Sequence, residues 1–524
     1  MPAKDIIFGD DVRKKLLAGA ETVYNCVAST MGPKGKNVLL ERPYGAPQVV
    51  NDGVTVSREI VLEDKFENLA ASLIIEAAEK TNRDVGDATS ATVLLTYEIL
   101  KRGLREISNG ENAQMFKVEL KEATDKVIDE LKKLSKPVKN KQEKISVATI
   151  AASDQEIGKL VAEAYDKISV EGTLTVDMSP TNETYLELKD GLTIPAGYIL
   201  PHFITNSETL KAELDQPYIL VTDKDIAGVD EIIELLKAIN NDNKSILIIA
   251  SNVTGSALGT LIVNKNQGFL KPIAVKAYGG GDLKEGMLSD IALATGGVFV
   301  SSKEGIDIRK VTIDQLGRAE KVISDRNETI ILGAKGDPEK IKARITELKK
   351  FKEKAVSQFE EEKFQERLSR LSGGIAVIYA GGNSESEQRE KRLRIEDAIH
   401  ATRAAIEEGI VPGGGVALYH AREVLIEKKN VGEKILYDIL EEPFKKILTN
   451  AGVEPYQIIP KFPDKFTVFN VVTNQLENAF ETGIVDPLRV IRVALENAVS
   501  ISSLLLTSGT AVVSLPEDKS ANPV

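Results

Sequence analysis

The stretch Gly86-Asp87-Ala88-Thr89-Ser90-Ala91-Thr92-Val93-Leu94 constrains this chain more than any other. A small residue stands beside a carboxylate, and two hydroxyl residues follow. An apolar period (Val93, Leu94, Tyr97, Ile99, Leu100) then predicts a helix. Hydroxyls and unpaired backbone N–H groups at a helix N-terminus suit a phosphate. Asp87 would repel that phosphate unless a cation lay between them, so the pair points to a nucleotide bound through Mg²⁺. The same residues also read as an ordinary helix start, with Asp87 or Thr89 capping the first turn.

With 524 residues the chain is too long for one core, and two to four domains are expected. A net charge of −12 repels a phosphate backbone, and 5% aromatics without Trp offer few stacking platforms. Nucleic-acid binding is therefore disfavoured. Cys26 is the only cysteine, so an intrachain disulfide is excluded. With His202, His400 and His420 it leaves no zinc cluster. No apolar run is long enough to span a bilayer, and Met1–Phe8 has no secretory pattern, so a cytoplasmic location is expected.

Along the chain, residues 9–30 predict one amphipathic helix that ends in the Gly- and Lys-rich loop Met31-Gly32-Pro33-Lys34-Gly35-Lys36. That loop lacks the Walker A spacing and reads as a basic turn or a phosphate cradle. Residues 37–40 and 47–50 predict a hairpin around Tyr44-Gly45-Ala46. Asn51-Asp52-Gly53 is turn chemistry that also places a second exposed carboxylate. Helices are expected over 70–81 and 112–134, and another after residue 154 with Ser153 or Asp154 as its cap. From about residue 170 the pattern changes. Strands at 172–176, 184–188, 218–222, 245–250 and 272–276 alternate in part with helices at 230–240 and 256–264, which indicates an α/β domain.

Ile232, Ile233, Leu235, Leu236 and Ile239 cover more than one helix face, as do Leu258, Leu261, Ile262 and Val263. Such helices are either buried on most sides or exposed for protein binding. A charged helical hairpin (338–371), a strand (375–379), a helix (385–408) and the loop Val411-Pro412-Gly413-Gly414-Gly415 follow. That Gly loop opens a helix and is a second possible phosphate cradle.

Several motifs, in order, resemble the group I chaperonins, the GroEL family, over nearly the whole chain. They are Thr30-Met31-Gly32-Pro33-Lys34-Gly35, Asp52-Gly53-Val54, Leu62-Glu63-Asp64-Lys65-Phe66-Glu67-Asn68, Glu396-Asp397-Ala398-Ile399-His400-Ala401-Thr402-Arg403 and Gly413-Gly414-Gly415. The resemblance implies a multi-domain chaperonin fold. A mainly α equatorial ATP-binding domain would comprise 1–133 and 409–524. A small α/β intermediate hinge domain would comprise 134–189 and 376–408, and an α/β apical domain 190–375.

It also implies roles. Thr30, Met31, Gly32 and Pro33 would line the nucleotide pocket, with Asp87 on Mg²⁺ and Ala88, Thr89 and Ser90 at the phosphates. Asp52 and Asp397 would be the hydrolytic carboxylates. Gly414 and Gly415 would approach the nucleotide, Asn470, Val471 and Val472 would lie beside the base, and Asp486 would contact the ribose. Tyr198, Phe203, Ile233, Leu236, Leu258, Ile262 and Val263 would form an apolar rim for unfolded chains. ATP, Mg²⁺ and K⁺ are the implied cofactors. A GroES-type co-chaperonin and a homo-oligomeric seven-membered ring, two rings stacked, are the implied partners.

The chain departs from the family in five places. Gly86-Asp87-Ala88-Thr89-Ser90-Ala91-Thr92 is one residue shorter than the usual Gly-Asp-Gly-Thr-Thr-Thr-Ala-Thr. Asn51 replaces a usual Lys, a residue is missing near 150–154, His202 replaces an apolar rim residue, and the C-terminal tail lacks Gly-Gly-Met repeats. The expected function is ATP-driven protein folding. The alternatives are a chaperonin-like ring that holds unfolded proteins without cycling, and a small-molecule ATPase or kinase.

Overall fold

The computed structural model describes residues 3–41, 47–50, 52–152, 154–168, 173–207, 209–241, 245–301, 303, 305–355 and 357–514. The expected 44–46 turn, Asn51, Ser153, Gly172 and the C-terminal tail lie outside these residues. The chain divides into two compact units, one formed by 1–162 with 390–524 and the other by 163–389.

The first unit is mainly helical. In the Gly9–Val27 helix, Val12, Leu16, Gly19, Ala20, Val23 and Val27 are buried, one stripe at helical spacing. A side chain at Gly19 would lie 2.1 Å from the Glu67 carbonyl oxygen, so only glycine lets this helix lie against the Lys65–Val85 helix. Asp64 caps the latter by accepting from the backbone N–H of Phe66 (2.9 Å) and Glu67 (3.1 Å). Gly86 ends it in the left-handed region with φ +75°.

The Thr89–Ser108 helix is buried on most of its circumference and is the centre of the unit. The Leu488–Leu506 helix packs beside it, and Asn497 reaches from there to donate to Thr81 Oγ1 (2.9 Å), which also accepts from Thr92 (3.1 Å). Lys4–Phe8 and Thr510–Ser514 pair antiparallel and tie the two ends of the described chain together. Three further ribbons complete the unit: Val38–Leu40 with Gln48–Val50, Ile410–Pro412 with Val485–Pro487, and Thr467–Asn470 with Gln475–Asn478.

One local reading changes, and one expected helix cap is found in place. Asp52 does not sit in a plain turn, because Gly53–Arg58 is a helix that it caps. Residues 146–152 belong to the Lys141–Ala152 helix, and Asp154 caps the next one through Glu156 (2.8 Å) and Ile157 (3.1 Å).

The second unit carries the α/β pattern. Its main sheet runs Lys271–Lys276, Ser245–Ala250, Tyr218–Thr222, Phe299–Val300 in parallel, with Gly317–Arg318 added antiparallel. Every residue of Ser245–Ala250 is buried, as a central parallel strand requires. A four-stranded antiparallel sheet (Gly191–Ile194, Thr329–Leu332, Lys321–Ser324, Ala212–Asp215), a three-stranded mixed sheet centred on Ile375–Ala380 and the short parallel pair Asp225–Ile226 with Asn252–Val253 accompany it.

The helical hairpin Pro338–Glu353 and Gln358–Ser372 is fixed by a buried charge cluster. Asp290 accepts from Arg367 Nε (2.7 Å) and Nη2 (2.9 Å) and from Arg344 Nε (2.9 Å). Asp290 is 5% exposed and Arg367 9%, so removing the carboxylate leaves a guanidinium uncompensated in the interior. Asp290→Ala is expected to destabilise this unit by about 3 kcal/mol in urea unfolding. Lys342→Ala, in an exposed pair with Glu339, is expected to shift stability by less than about 0.5 kcal/mol.

Candidate functional site

In the first unit, four aspartates from separate stretches of chain gather around Asp87, which lies within electrostatic reach of each of the other three. Asp52 is held by its own helix start. It accepts from Val54 N–H (3.2 Å), Thr55 N–H (2.8 Å) and Thr55 Oγ1 (2.6 Å). Asp87 follows the left-handed Gly86 and accepts from the Ala88 N–H at 2.5 Å. Asp397 is carried by the Glu385–Glu408 helix. Asp486 lies on the Val485–Pro487 strand and accepts from the backbone N–H groups of Gly414 and Gly415.

Water reaches Asp52, Asp87 and Asp397. Protein nevertheless surrounds Asp87 and Asp397 closely enough that burial is the first cause of their upward shifts, as in a concave surface. Burial, then the charge of Asp52, raises Asp87. Burial, then Asp87, Asp52 and Glu396, raises Asp397 well above the ordinary carboxylate range. Burial and Asp87 push Asp486 to about 7, although the two glycine N–H groups oppose that. No lysine or arginine contributes to any of these three shifts.

The Thr89–Ser108 helix opens into this constellation. Its N-cap is Ala88, in the left-handed region with φ +63°, and no side chain caps the first turn. The reading of Asp87 or Thr89 as an ordinary cap is therefore excluded. Free first-turn N–H groups and the Thr89 and Ser90 hydroxyls remain together. The shortened loop keeps a backbone that glycine would adopt without strain, so Ala88 carries a local cost.

Gly53 closes the gap to this helix, for a side chain there would meet Ser90 Oγ at 2.3 Å. Thr30 Oγ1 lies 3.3 Å from Ser90 Oγ and donates to the Val27 carbonyl (2.8 Å). Met31 is buried in the core, and Gly32 turns at φ +83°. Asn450 secures this turn by donating to the carbonyls of Ala28 (3.0 Å) and Met31 (2.9 Å). Sequence reasoning missed Asn450, because no local pattern marks an amide that acts more than 400 residues away in the chain. Gly415, at φ +81°, would collide with the Phe444 N–H if it had a side chain, while Gly414 faces open space.

The residues expected beside the base are less clearly placed. Asn470 spends its amide within its own hairpin, accepting from Val472 N–H (2.9 Å) and donating to Glu477 (2.9 Å). Val471 is buried in a small core, whereas Val472 is exposed.

A divalent ion fits the donor set. Among the described residues no lysine or arginine offsets the shifts of Asp87, Asp397 and Asp486. Yet among the described residues no three acidic, His or Cys side chains are arranged to hold a metal alone. Mg²⁺ typically binds this way, through one or two carboxylates and the phosphates of a ligand.

The second unit holds the apolar residues. Val263 is 52% exposed, and Leu258 and Ile262 are half-buried on the same Gly255–Asn266 helix. Ile233 and Tyr198 are also half-buried. Phe203 (0%) and Leu236 (6%) are core residues instead of rim residues, since their side chains pack inside the unit's main hydrophobic cluster. Ile232, Leu235 and Ile239 are buried too, so the Ile233–Asn241 helix follows the buried alternative. His202 is exposed, and Phe269, which sequence reasoning passed over, is 58% exposed.

A helical unit built from both ends of the chain, with an α/β unit inserted in sequence between its halves, is the architecture of a chaperonin. The chain belongs to the TCP-1/cpn60 chaperonin family, whose sequence model matches residues 23–514. Its fold is similar to that of the chaperonin gp146 from the bacteriophage EL 2 (Pseudomonas aeruginosa), a structure determined in the presence of ATP-BeFx. In crystal form II the identity is 22% and the TM-score 0.72, with 98% of this chain and 99% of that chain covered. Crystal form I gives the same identity and coverage with a TM-score of 0.64.

Two outcomes follow from the loop and from Asp486. Ala88→Gly is expected to raise stability by about 1 kcal/mol in urea unfolding, because the left-handed backbone no longer opposes a side chain. For Asp486 the folded chain favours the protonated form. Its contribution therefore worsens as pH rises from the ordinary 3.8 towards about 7, then levels off. In Mg²⁺-free buffer the Tm advantage of Asp486→Asn over the unmodified protein should grow between about pH 4 and about pH 7 and stay level above that.

Proposed function

We propose that this chain is an ATP-dependent protein-folding chaperonin that works as a ring. The observation that carries the reading is the cluster of uncompensated carboxylates around an uncapped helix N-terminus. Together they leave places for a cation and for phosphate oxygens. The gp146 structures, determined in the presence of ATP-BeFx, support the same ligand class.

In this reading Asp87 holds Mg²⁺, and K⁺ accompanies it. A Mg²⁺ ion bound there supplies the positive charge that the protein withholds from Asp87, and it screens the phosphate oxygens. Thr89, Ser90 and the first-turn N–H groups of their helix bind those oxygens. Thr30, Met31, Gly32 and Pro33 form one wall, and Gly414 and Gly415 another. Asp486 takes the ribose, with Asn470, Val471 and Val472 beside the base. Asp397 orients the attacking water and accepts its proton, a role that its upward shift suits, and Asp52 assists.

The equatorial, intermediate and apical boundaries given above are part of the proposal. So are the cytoplasmic setting, the seven-membered double ring and a GroES-type partner. The apolar edge of exposed Val263 with half-buried Leu258 and Ile262 binds unfolded chains by non-directional burial.

Steady-state ATP hydrolysis with Mg²⁺ and K⁺ tests the site. Asp397→Ala is expected to lower kcat by about 100-fold or more, with nucleotide affinity changed by less than about threefold. Absence of turnover in the unmodified protein would overturn the hydrolytic reading in favour of a holding ring. On the apical side, Val263→Glu is expected to weaken suppression of aggregation of a chemically denatured test protein and to leave turnover unchanged. Undiminished suppression would remove Val263 from the client surface.

A further inference from the structure

The helix that carries Asp397 is seated on the loop that carries Asp87 by a contact with no slack. Gly86 stands one residue before Asp87, at φ +75°. A side-chain carbon built on Gly86 would lie 2.3 Å from His400 Cβ, 2.6 Å from Cγ and 3.0 Å from Cδ2. His400 therefore already fills the space above Gly86. It is three residues beyond Asp397, on the same face of the Glu385–Glu408 helix. One turn further along that face Ala404 is buried in a cluster with Val85 and Val490, and Ala88 packs at its edge. Asp397, His400 and Ala404 thus lie in one row along the chain segment 85–88.

We propose that His400 is a positioning residue whose ring, packed on Gly86, sets the separation between Asp397 and Asp87. The inference rests on the hydrolytic reading above and adds a determinant to it. The repulsion between the two carboxylates pushes the helix and the loop apart, and solvent alone would let them separate. The burial of Ala404 against Val85 and Val490, beside the seating of His400 on Gly86, holds the helix on the loop against that push. Gly86 is then required twice, once for its backbone and once because any side chain would lever the helix off the loop. Misplacement of a water-orienting carboxylate by about 1 Å costs up to about 100-fold in rate.

The test is steady-state hydrolysis and Mg·ATP binding by the full-length oligomer, with four variants. His400→Ala is expected to lower kcat by about 10-fold or more, with Mg·ATP affinity within about threefold. His400→Gln, which keeps much of the bulk, is expected to recover most of the loss. Gly86→Ala is expected to lower kcat in the same selective way, and it carries the test if His400→Ala does not fold. Asp397→Ala is the reference. If Asp397→Ala collapses turnover while His400→Ala and Gly86→Ala keep it within about twofold, the positioning role is overturned and the hydrolytic reading stands. Equal losses in kcat and affinity, or no recovery by His400→Gln, would also overturn it. If Asp397→Ala leaves turnover intact, the hydrolytic reading itself falls.

Discussion

The mutual repulsion of four aspartates is the constraint around which the helical unit is arranged. Asp52 and Asp87 come from the N-terminal part of the chain and Asp397 and Asp486 from its C-terminal part, and Asp87 lies within the field of each of the others. No lysine or arginine enters the shifts of Asp87, Asp397 or Asp486. A fold that only needed stability would pair these charges or leave them in open water. Here water still reaches Asp52, Asp87 and Asp397, but each of the four is held in place by backbone or packing and none by a paired cation among the described residues. Asp52 is fixed as a helix cap, Asp486 by two glycine N–H groups, Asp87 behind a left-handed glycine, and Asp397 on a long helix. Such strain is characteristic of sites that wait for a ligand.

The scaffold explains why the arrangement can be kept. The Thr89–Ser108 helix is buried almost all round, so its N-terminus is a fixed point. The buried Thr81, Thr92 and Asn497 hydrogen bonds lock its register against the neighbouring helices. Glycines occur where two backbones must nearly touch, at Gly19 on Glu67, Gly53 on Ser90 and Gly415 on Phe444. The second unit solves a different problem. It covers both faces of a parallel sheet and still leaves Val263 and Phe269 in water.

Much of this was legible in the chain. The 3.6-residue period gave the long helices, the change of pattern near 170 gave the α/β unit, and the ordered motifs gave the family. Asp87, Thr89 and Ser90 were singled out from local chemistry alone. What was not legible is long-range or depends on backbone shape. The capping alternative for Asp87 could be excluded only once Ala88 was seen in a left-handed conformation. Asn450 holding the 28–31 turn and His400 filling the space over Gly86 have no signature at short spacing. The apolar helix at 233–241 shows the limit of composition. Its residues satisfy either burial or exposure, and packing decided for Leu236 while the helix at 255–266 kept Val263 outside.

The most direct measurement is calorimetric titration of the protein with a non-hydrolysable ATP analogue, with excess Mg²⁺ and again with EDTA. If the uncompensated carboxylates are a cation–nucleotide site, binding with Mg²⁺ should be tighter by about 10-fold or more. Equal affinity in the two buffers, or no binding in either, would contradict that claim.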